Sequence, residues 1–218
     1  MVKTRRKMKN RKIKSIKRSK RYQDRIIITF YDKSVLRLTE DAFLLQPYAI
    51  NDIIKESDVS LLNKDMRIRE ARDAAYRLLG YRMRSIYEMK IKLKTKGFSS
   101  NEVEIVINKL EGLGYLNDMQ FAETLASEKI SNKKVGPIFV QSELKKHNIE
   151  QAMIDKIIKN AYQENKILEL IKFHINKKIK SNSSMLQFAE KKKIDSLLYR
   201  KGFHWDDINT AYAELDLI

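Results

Sequence analysis

Apolar positions recur with a helical period through most of the chain, and one pattern of apolar positions occurs three times after residue 64. Each occurrence contains a similar six-residue sequence, LKTKGF at 93–98, LKKHNI at 144–149 and LYRKGF at 198–203. Beginning five residues after the last apolar position of each sequence, apolar residues recur at i, i+3, i+4 and i+7, which is typical of one face of an amphipathic helix. The pattern therefore predicts three tandem helical repeats.

In each repeat, one helix is predicted to end and the next to begin within or just after these six residues. Gly97 and Gly202 stand where a helix commonly ends in a left-handed residue, and Asn148, the usual substitute for glycine there, stands at the equivalent position. In the first repeat, Ser99 and Glu102 have the spacing of a capping box, in which each side chain binds the other residue's backbone amide. Each repeat therefore contains a sharp junction between two helices.

Another amphipathic helix precedes each pair, at roughly 66–79, 118–130 and 164–179. Ser85 and Glu88 have capping-box spacing at the start of the middle helix of the first repeat. A single unit of three such helices cannot bury its apolar faces alone, so neighbouring repeats should stack. We therefore predict a mainly all-α fold, in which three tandem three-helix, helix-turn-helix-like repeats form an elongated curved array.

The first 64 residues do not share this pattern. Residues 1–23 contain twelve basic residues and no acid, a composition that repels itself and favours a basic flexible arm. Two β-prone runs, 26–31 and 35–38, are separated by turn residues and predict a β-hairpin in a small N-terminal subdomain at 24–64. The three helical repeats then occupy residues 65–116, 117–163 and 164–218.

Composition supports this organisation. The chain has 218 residues, of which 43% are hydrophobic, and only 6 are glycine and 2 proline, which favours helices over a turn-rich β fold. The absence of cysteine excludes disulfides, thiol catalysis and thiolate metal sites, and together with the lack of a membrane-length apolar stretch or a targeting signal it predicts a cytoplasmic protein. Core positions are predicted for Phe98, Tyr115, Phe121 and Phe203.

The formal net charge of +17 indicates a polyanionic partner, because cations that neutralise phosphates gain affinity by releasing counterions. The middle helices of repeats one and three are basic, whereas the third helices, 99–111 and 205–216, are acidic. A helix-turn-helix DNA reader would need basic or amide side chains on its third helix, so we favour sequence-independent phosphate contact by the middle helices. The alternative is that these lysines merely solvate an exposed helix face.

The candidate contact residues are Arg82, Arg84, Lys90, Lys92, Lys94 and Lys96 in the first repeat, Lys191, Lys192 and Lys193 in the third, and Arg5, Arg6 and Arg11 in the arm.

Catalysis finds little support in the sequence. His147, His174 and His204 are 27 and 30 residues apart and have no metal-ligand spacing, and the sequence contains no phosphate-binding loop and no nucleophile elbow. We therefore predict no catalytic residues, no metal site and no cofactor.

Several short motifs occur in the order in which they occur in one known family. They are Ala74-Ala75 with Leu78-Leu79, Tyr81 to Ser85 with Glu88, KLKTKGF at 92–98, Gly114 to Asp118, and Phe121-Ala122. In these motifs the chain resembles the central repeat of the RecX family, and the resemblance covers about residues 66–215. The hairpin segment is similar to the N-terminal part of Gram-positive members. The chain departs from the family pattern at His147-Asn148, where Lys-Gly is frequent, and at Asn117, where aspartate is common.

The resemblance implies a regulatory protein of DNA repair, homologous recombination and the SOS response. It implies RecA as the partner, with binding in the groove of the RecA–DNA filament across adjacent protomers, usually lowering recombinase activity. Single- and double-stranded DNA are expected as non-specific contacts, and the protein is expected to be a monomer without a membrane partner. The alternative function is sequence-nonspecific nucleic-acid binding that does not depend on RecA.

Overall fold

The computed structural model of the protein describes residues 10–20, 22, 24–163, 166–179 and 188–217. The chain divides into two compact units, one made of Met1–Tyr81 with Lys90–Leu110 and the other of Arg82–Met89 with Glu111–Ile218. The strands are β1 (Asn10–Arg18), β2 (Arg25–Phe30), β3 (Val35–Thr39) and β4 (Ile53–Lys55). The helices are α1 (Glu40–Leu45), α2 (Glu56–Leu79), α3 (Ile86–Thr95), α4 (Ser100–Gly112), α5 (Asp118–Lys133), α6 (Pro137–Lys146), α7 (Gln151–Ala161), α8 (Lys166–Lys178), α9 (Phe188–Arg200) and α10 (Trp205–Ala213).

The four strands of the first unit form one antiparallel sheet in the order β3-β2-β1-β4. One face of the sheet is apolar and packs against α1 and α2. Its buried side chains alternate along the strands, as the period of two requires. They are Ile13, Ile26, Ile28, Phe30, Leu36, Leu38 and Ile54, and Val59 of α2 completes the cluster.

The predicted hairpin is confirmed, because β2 and β3 pair in antiparallel register from Arg25↔Thr39 to Thr29↔Val35. Thr39 also caps the short helix α1, since the amide of Ala42 donates to the Thr39 hydroxyl at 3.2 Å. The next helix, α2, begins at Glu56, although the sequence predicted a start near residue 66. It therefore crosses the boundary predicted between the subdomain and the first repeat.

The prediction of a flexible arm is wrong for residues 10–18, which form β1 between β2 and β4. Ile13 is fully buried and Ile16 packs against the same core. These isoleucines are three residues apart in the sequence because a β-bulge shifts the register between Ile13 and Ser15. The bulge breaks the alternation by which a strand is recognised, and the surrounding lysines suggest an arm. Residues 1–9, with Arg5 and Arg6, lie outside the described residues.

The three junctions between middle and third helices have the same geometry, as the sequence predicted. Gly97, Asn148 and Gly202 have φ angles of 86°, 56° and 84°, in the left-handed region that ends many helices. The amide of the following residue then donates to the carbonyl five residues earlier. These bonds join Phe98 to Leu93 at 3.3 Å, Ile149 to Leu144 at 3.3 Å, and Phe203 to Leu198 at 3.2 Å.

The predicted inward positions closest to the junctions are buried, whereas several farther along the helices, such as Ile158 and Leu215, are half-buried. The buried positions include Leu93, Leu144 and Leu198 before the junctions, and Val103, Ile154 and Ile208 after them. The capping box of Ser99 and Glu102 is complete, with bonds of 2.8 Å from the Ser99 amide and 3.3 Å from the Glu102 amide. The predicted fold class, mainly α-helical with a small β-containing N-terminal subdomain, is confirmed. The curvature of the array stays a prediction.

In the second unit, the α5–α6 loop packs against the junction between α9 and α10. The Gly136 amide donates to the Lys201 carbonyl at 2.8 Å, and the Ile138 amide donates to the Gly202 carbonyl at 3.1 Å. A Cβ atom at Gly136 would overlap the Gly202 carbonyl, and one at Gly202 would overlap the backbone of Phe139. Glycine is therefore required on both sides of this backbone contact.

The same loop has further partners in the third repeat. The Lys134 carbonyl contacts Nε2 of His174 at 2.7 Å, and the Lys133 carbonyl accepts a hydrogen bond from Nζ of Lys201 at 2.7 Å. A single apolar cluster runs from Phe121 through helices α5–α10 to Tyr212. The second and third repeats are thus stacked through both backbone and side-chain contacts.

Two of the four aromatic residues assigned to the core are buried, namely Phe121 and Phe203. Phe98 is half-buried. Tyr115 is 57% exposed, which corrects its assignment. It follows Gly114, whose φ is 74°, and the neighbouring Leu116 takes the inward position instead. Among the described residues, no helix is long and apolar enough to span a membrane.

Candidate interaction surface

The candidate contact lysines of α3 lie on both flanks of the helix. Met89 and Leu93 are fully buried and mark its inner face. At 100° per residue, Lys90 and Lys94 lie on one side of that face and Lys92 lies on the other. Lys92 and Lys94 are exposed, and so is Lys96 beyond the helix end. These residues therefore present two separate positive edges.

Lys90 is the most constrained of the α3 lysines. Its ammonium lies 3.4 Å from a carboxylate oxygen of Glu104 on α4. This pair is exposed, so it contributes little to stability. However, the carboxylate of Glu104 lies next to the Lys90 ammonium and therefore weakens the attraction of Lys90 for phosphate.

The two arginines before α3 have different environments. Arg84 is only 8% exposed, and its guanidinium donates to the carboxylate of Glu88. Arg82 has a side chain that is 53% exposed; it donates to the same Glu88 oxygen at 2.6 Å and to the Met83 carbonyl at 2.9 Å. Arg82 thus remains accessible to a partner, whereas the guanidinium of Arg84 stabilises the bend.

The start of α3 is held by caps from two directions. The Glu88 amide donates to the Ser85 hydroxyl at 3.1 Å, which is one half of the predicted capping box, while the Glu88 carboxylate binds the two arginines. The Ile86 amide donates to Asp118 at the start of α5 at 2.8 Å. The bend is therefore a fixed element that positions Arg82.

Arg11, predicted as a contact of the arm, is an internal ion-pair partner. Its guanidinium donates twice to the carboxylate of Glu56, with one bond of 2.7 Å, and lies 3.9 Å from Asp32. The hydrogen bond to Glu56 raises the pKa of Arg11, although partial burial opposes this shift. Arg11 therefore joins β1 to the start of α2 and has little capacity for an external anion.

In the third repeat, three consecutive lysines of α9 face different directions. Ile194 and Leu198 are buried and define the inner face. Lys191 lies near that face, with its ammonium 5.1 Å from the ring centroid of Tyr212. Lys192 and Lys193 point outward and are exposed, so they are the residues of this group that can reach a partner.

Arg67 of α2 is an important residue that no pattern in the sequence singles out. Its guanidinium binds both carboxylate oxygens of Glu102 at 3.1 and 3.2 Å, donates to the Gly97 carbonyl at 2.6 Å, and lies 4.9 Å from the ring centroid of Phe98. Burial raises the pKa of Glu102, but hydrogen bonds from Arg67 and Ser99 outweigh it and the pKa is lowered. Arg67 thus secures the first junction.

The histidines have structural environments. His174 is buried, and burial together with Lys201 and Lys177 lowers its pKa against the opposing hydrogen bond to the Lys134 carbonyl. His147 lies edge-on to Phe121 with 4.9 Å between ring centroids. Within the described ranges, no three histidine, aspartate or glutamate side chains are grouped so that they could hold a metal ion.

The protein is a tandem three-helix-repeat protein, as its repeated helix junctions and repeated buried positions show. Several of its exposed cations lie on these helices. The model of the first three-helix domain of RecX matches residues 71–110. The regulatory protein RecX of Pelodictyon phaeoclathratiforme is 32% identical over 143 residues, which are 66% of this chain and 87% of that protein. The chain belongs to the RecX family of regulatory proteins.

Two further comparisons extend this relationship along the chain. The regulatory protein RecX of Bacillus velezensis is 28% identical over 204 residues, covering 94% of this chain and 77% of that protein. A crystal structure of a regulatory protein RecX has a TM-score of 0.70 at 20% identity and covers 93% of this chain and 99% of the other. The fold is therefore shared along nearly the whole length.

Proposed function

We propose that this protein regulates a RecA recombinase by binding the RecA–DNA filament and lowering its activity. The observation that supports this proposal best is membership of the RecX family, whose relatives are named regulatory proteins and match up to 94% of the chain. The protein acts by binding and not by catalysis, it needs no cofactor, and it works as a monomer.

In the proposed mechanism, the repeats lie in the filament groove and contact adjacent RecA protomers, while exposed cations face the DNA. The contact residues are Arg82, Lys92, Lys94, Lys96, Lys192 and Lys193, with a weaker contribution from Lys90. Arg84, Arg11 and Lys191 leave this set because their side chains are engaged within the fold. Occupation of the groove impedes the conformational cycle of RecA and access of a second strand.

The first test is the rate of ATP hydrolysis by RecA on single-stranded DNA while this protein is titrated in. We expect the rate to fall at protein concentrations well below that of RecA, because one bound regulator affects several protomers. The DNA affinity of the protein, measured alone, serves to exclude sequestration of DNA. A fall that only parallels occupation of the free DNA would contradict filament regulation.

A second test examines the contact residues. Lys92→Glu, Lys94→Glu and Lys96→Glu in one chain should weaken filament binding, because three cations become anions near phosphate. A matched control changes Lys145, Lys156 and Lys159 to glutamate, since these lysines are also exposed and the net charge changes equally. Equal loss of binding in both variants would remove the α3 lysines from the proposed surface.

The second candidate function is RecA-independent nucleic-acid binding, favoured by the net charge of +17. The salt dependence of binding distinguishes the two functions. For binding through phosphates alone, the logarithm of the affinity falls linearly with the logarithm of the salt concentration. A contact with the RecA protein adds a part of the affinity that does not depend on salt. We expect filament binding to level off at high salt and binding to free DNA to vanish.

A further inference from the structure

The face of the sheet opposite its buried apolar face combines basic, aromatic and aliphatic side chains. Because Ile26 and Ile28 are buried on the helix-covered face, Ile27 between them points to the opposite side. Its register partners are Lys17 on β1 and Arg37 on β3, and directly paired residues share a face. A lysine, an isoleucine and an arginine thus form one row across three strands.

Two more rows continue the same face. Ser15, Thr29 and Val35 are paired across β1, β2 and β3. Beyond them lies Tyr31, which is 56% exposed and has the ammonium of Lys12 at 5.7 Å from its ring centroid. Lys12 pairs with Ile53 of β4, which is 63% exposed. We call the surface formed by these nine residues, from Lys12 to Ile53, the open face.

The charge of the open face is purely positive. The side chains of this face that are charged at neutral pH are Lys12, Lys17 and Arg37, and none of its nine residues is an aspartate or glutamate. Two carboxylates lie nearby: Glu70 lines the same cavity as Ile27 and Arg37 but is paired with Arg25 at 2.6 Å. Asp32 accepts a hydrogen bond from the Ser34 amide at 2.9 Å in the turn. The face therefore complements a chain of phosphates.

An exposed tyrosine and two isoleucines among these cations make the partner more specific. A duplex offers phosphates to such a flat surface but hides the faces of its bases. A single strand offers phosphates and unstacked bases together, and bases stack on aromatic side chains with little dependence on sequence. Adjacent strands lie about 4.8 Å apart, so three rows of side chains across three strands provide an area of a few nucleotides.

We propose that the open face binds single-stranded nucleic acid, with Lys12, Lys17 and Arg37 contacting phosphates and Tyr31 stacking on a base. This binding needs no recombinase and does not use the helices of the repeats. It adds to the protein a second site of nucleic-acid contact, located on the N-terminal sheet.

The test measures fluorescence anisotropy of a labelled thymidine 20-mer with the full chain, without RecA. The variant with Lys12→Glu, Lys17→Glu and Arg37→Glu should bind at least about tenfold more weakly. Its slope of log affinity against log salt should decrease by about 2, since each neutralised phosphate of a single strand contributes about 0.7. The matched control again changes Lys145, Lys156 and Lys159 to glutamate and should bind nearly as tightly as the parent chain.

A single substitution tests the stacking separately from the charge. Tyr31→Ala should weaken binding of the single strand about fivefold or more and binding of a duplex of the same length less than twofold. Tyr199→Ala is the control, because Tyr199 is 75% exposed and lies on α9. The melting temperatures of all variants should match the parent chain and show that each is folded.

Three results would overturn the proposal. One is equal weakening by the open-face and control triple variants, and another is equal weakening of single strand and duplex by Tyr31→Ala. The third is displacement of the single strand by polyglutamate as efficiently as by unlabelled DNA, which would assign the face to an acidic protein. Since the assay contains no RecA, its failure leaves filament regulation untouched, and failure of filament regulation leaves this result untouched.

Discussion

The first and third junctions have the same backbone conformation but are stabilised by different means. At the first junction, the side chain of Arg67 binds Glu102 and the Gly97 carbonyl. At the third, the backbone of Gly202 contacts the second repeat directly, and a side chain at that position has no space. A repeated local motif can therefore keep the same geometry while its tertiary support differs from repeat to repeat.

The largest difference should appear when each junction glycine is replaced by alanine. Gly202→Ala adds an unfavourable left-handed conformation, about 1–2 kcal/mol, to an overlap with Phe139 that costs about 1–3 kcal/mol more. Gly97→Ala has only the conformational cost, because a Cβ there meets nothing within 4 Å. Urea unfolding followed by circular dichroism measures both; equal losses would mean that the third junction does not depend on the backbone contact.

Removal of Arg67 tests the side-chain support of the first junction. Arg67→Ala should lower the free energy of unfolding by about 1–2 kcal/mol, since charge-assisted bonds to a half-exposed guanidinium are lost. Lys64→Ala is the control, because Lys64 is exposed on the same helix and should change stability by less than about 0.5 kcal/mol. A loss no greater than that of the control would show that the first junction stands without this arginine.

The two junctions should also respond to acid in different pH ranges. The lowered pKa of His174 beside the third junction means that protonation favours the unfolded chain, so stability falls as pH drops below about 6.5. The lowered pKa of Glu102 means that its contribution is present above about pH 4.5 and is lost as pH falls through its folded-state pKa. Melting curves between pH 8 and 3 record both transitions.

Two variants separate these contributions. His174→Gln keeps a donor for the Lys134 carbonyl and should abolish the decrease that starts near pH 6.5. Glu102→Gln should reduce the decrease below pH 4.5 and leave the earlier one unchanged. An identical pH profile in either variant and the parent chain would assign the acid sensitivity to other groups.

The smallest effect is expected at the second junction, where Asn148 replaces the glycine of the other two. Asn148→Gly should stabilise the protein by about 0.5 kcal/mol, because glycine adopts the φ of 56° with less strain than asparagine. Thermal melting of the two chains side by side measures the difference. A destabilised variant would indicate that the asparagine side chain contributes a contact of its own.

Features of the junctions that depend on local conformation could be predicted from the sequence, whereas those that depend on distant residues could not. Gly97, Asn148 and Gly202 act through local conformation, and the Ser99–Glu102 capping box acts within four residues, so all were predictable from spacing. The contacts of Arg67 and the Gly136–Gly202 contact join residues 30 or more positions apart, and a single sequence contains no signal for such contacts.

The same distinction applies to the candidate contact residues. A count of charge along residues 82–96 identified Arg84 as readily as Arg82, but only the fold shows that Arg84 is buried against Glu88. Arg11 was grouped with the basic arm because Glu56, its partner, stands 45 positions away. The number of basic residues in a sequence therefore indicates an overall preference for anions. The ion pairs formed in the fold decide which of these residues remain available to bind an external anion.

The loop at 133–138 has a consequence for any attempt to shorten the protein. Its carbonyls and amides are satisfied by His174, Lys201 and Gly202, all of which belong to the third repeat. A chain that stopped at residue 163 would expose these polar groups together with an uncovered apolar surface, and we expect it to aggregate. The last repeat thus covers the apolar surface of the one before it, and we expect the two to fold in another protein only when they are transferred together.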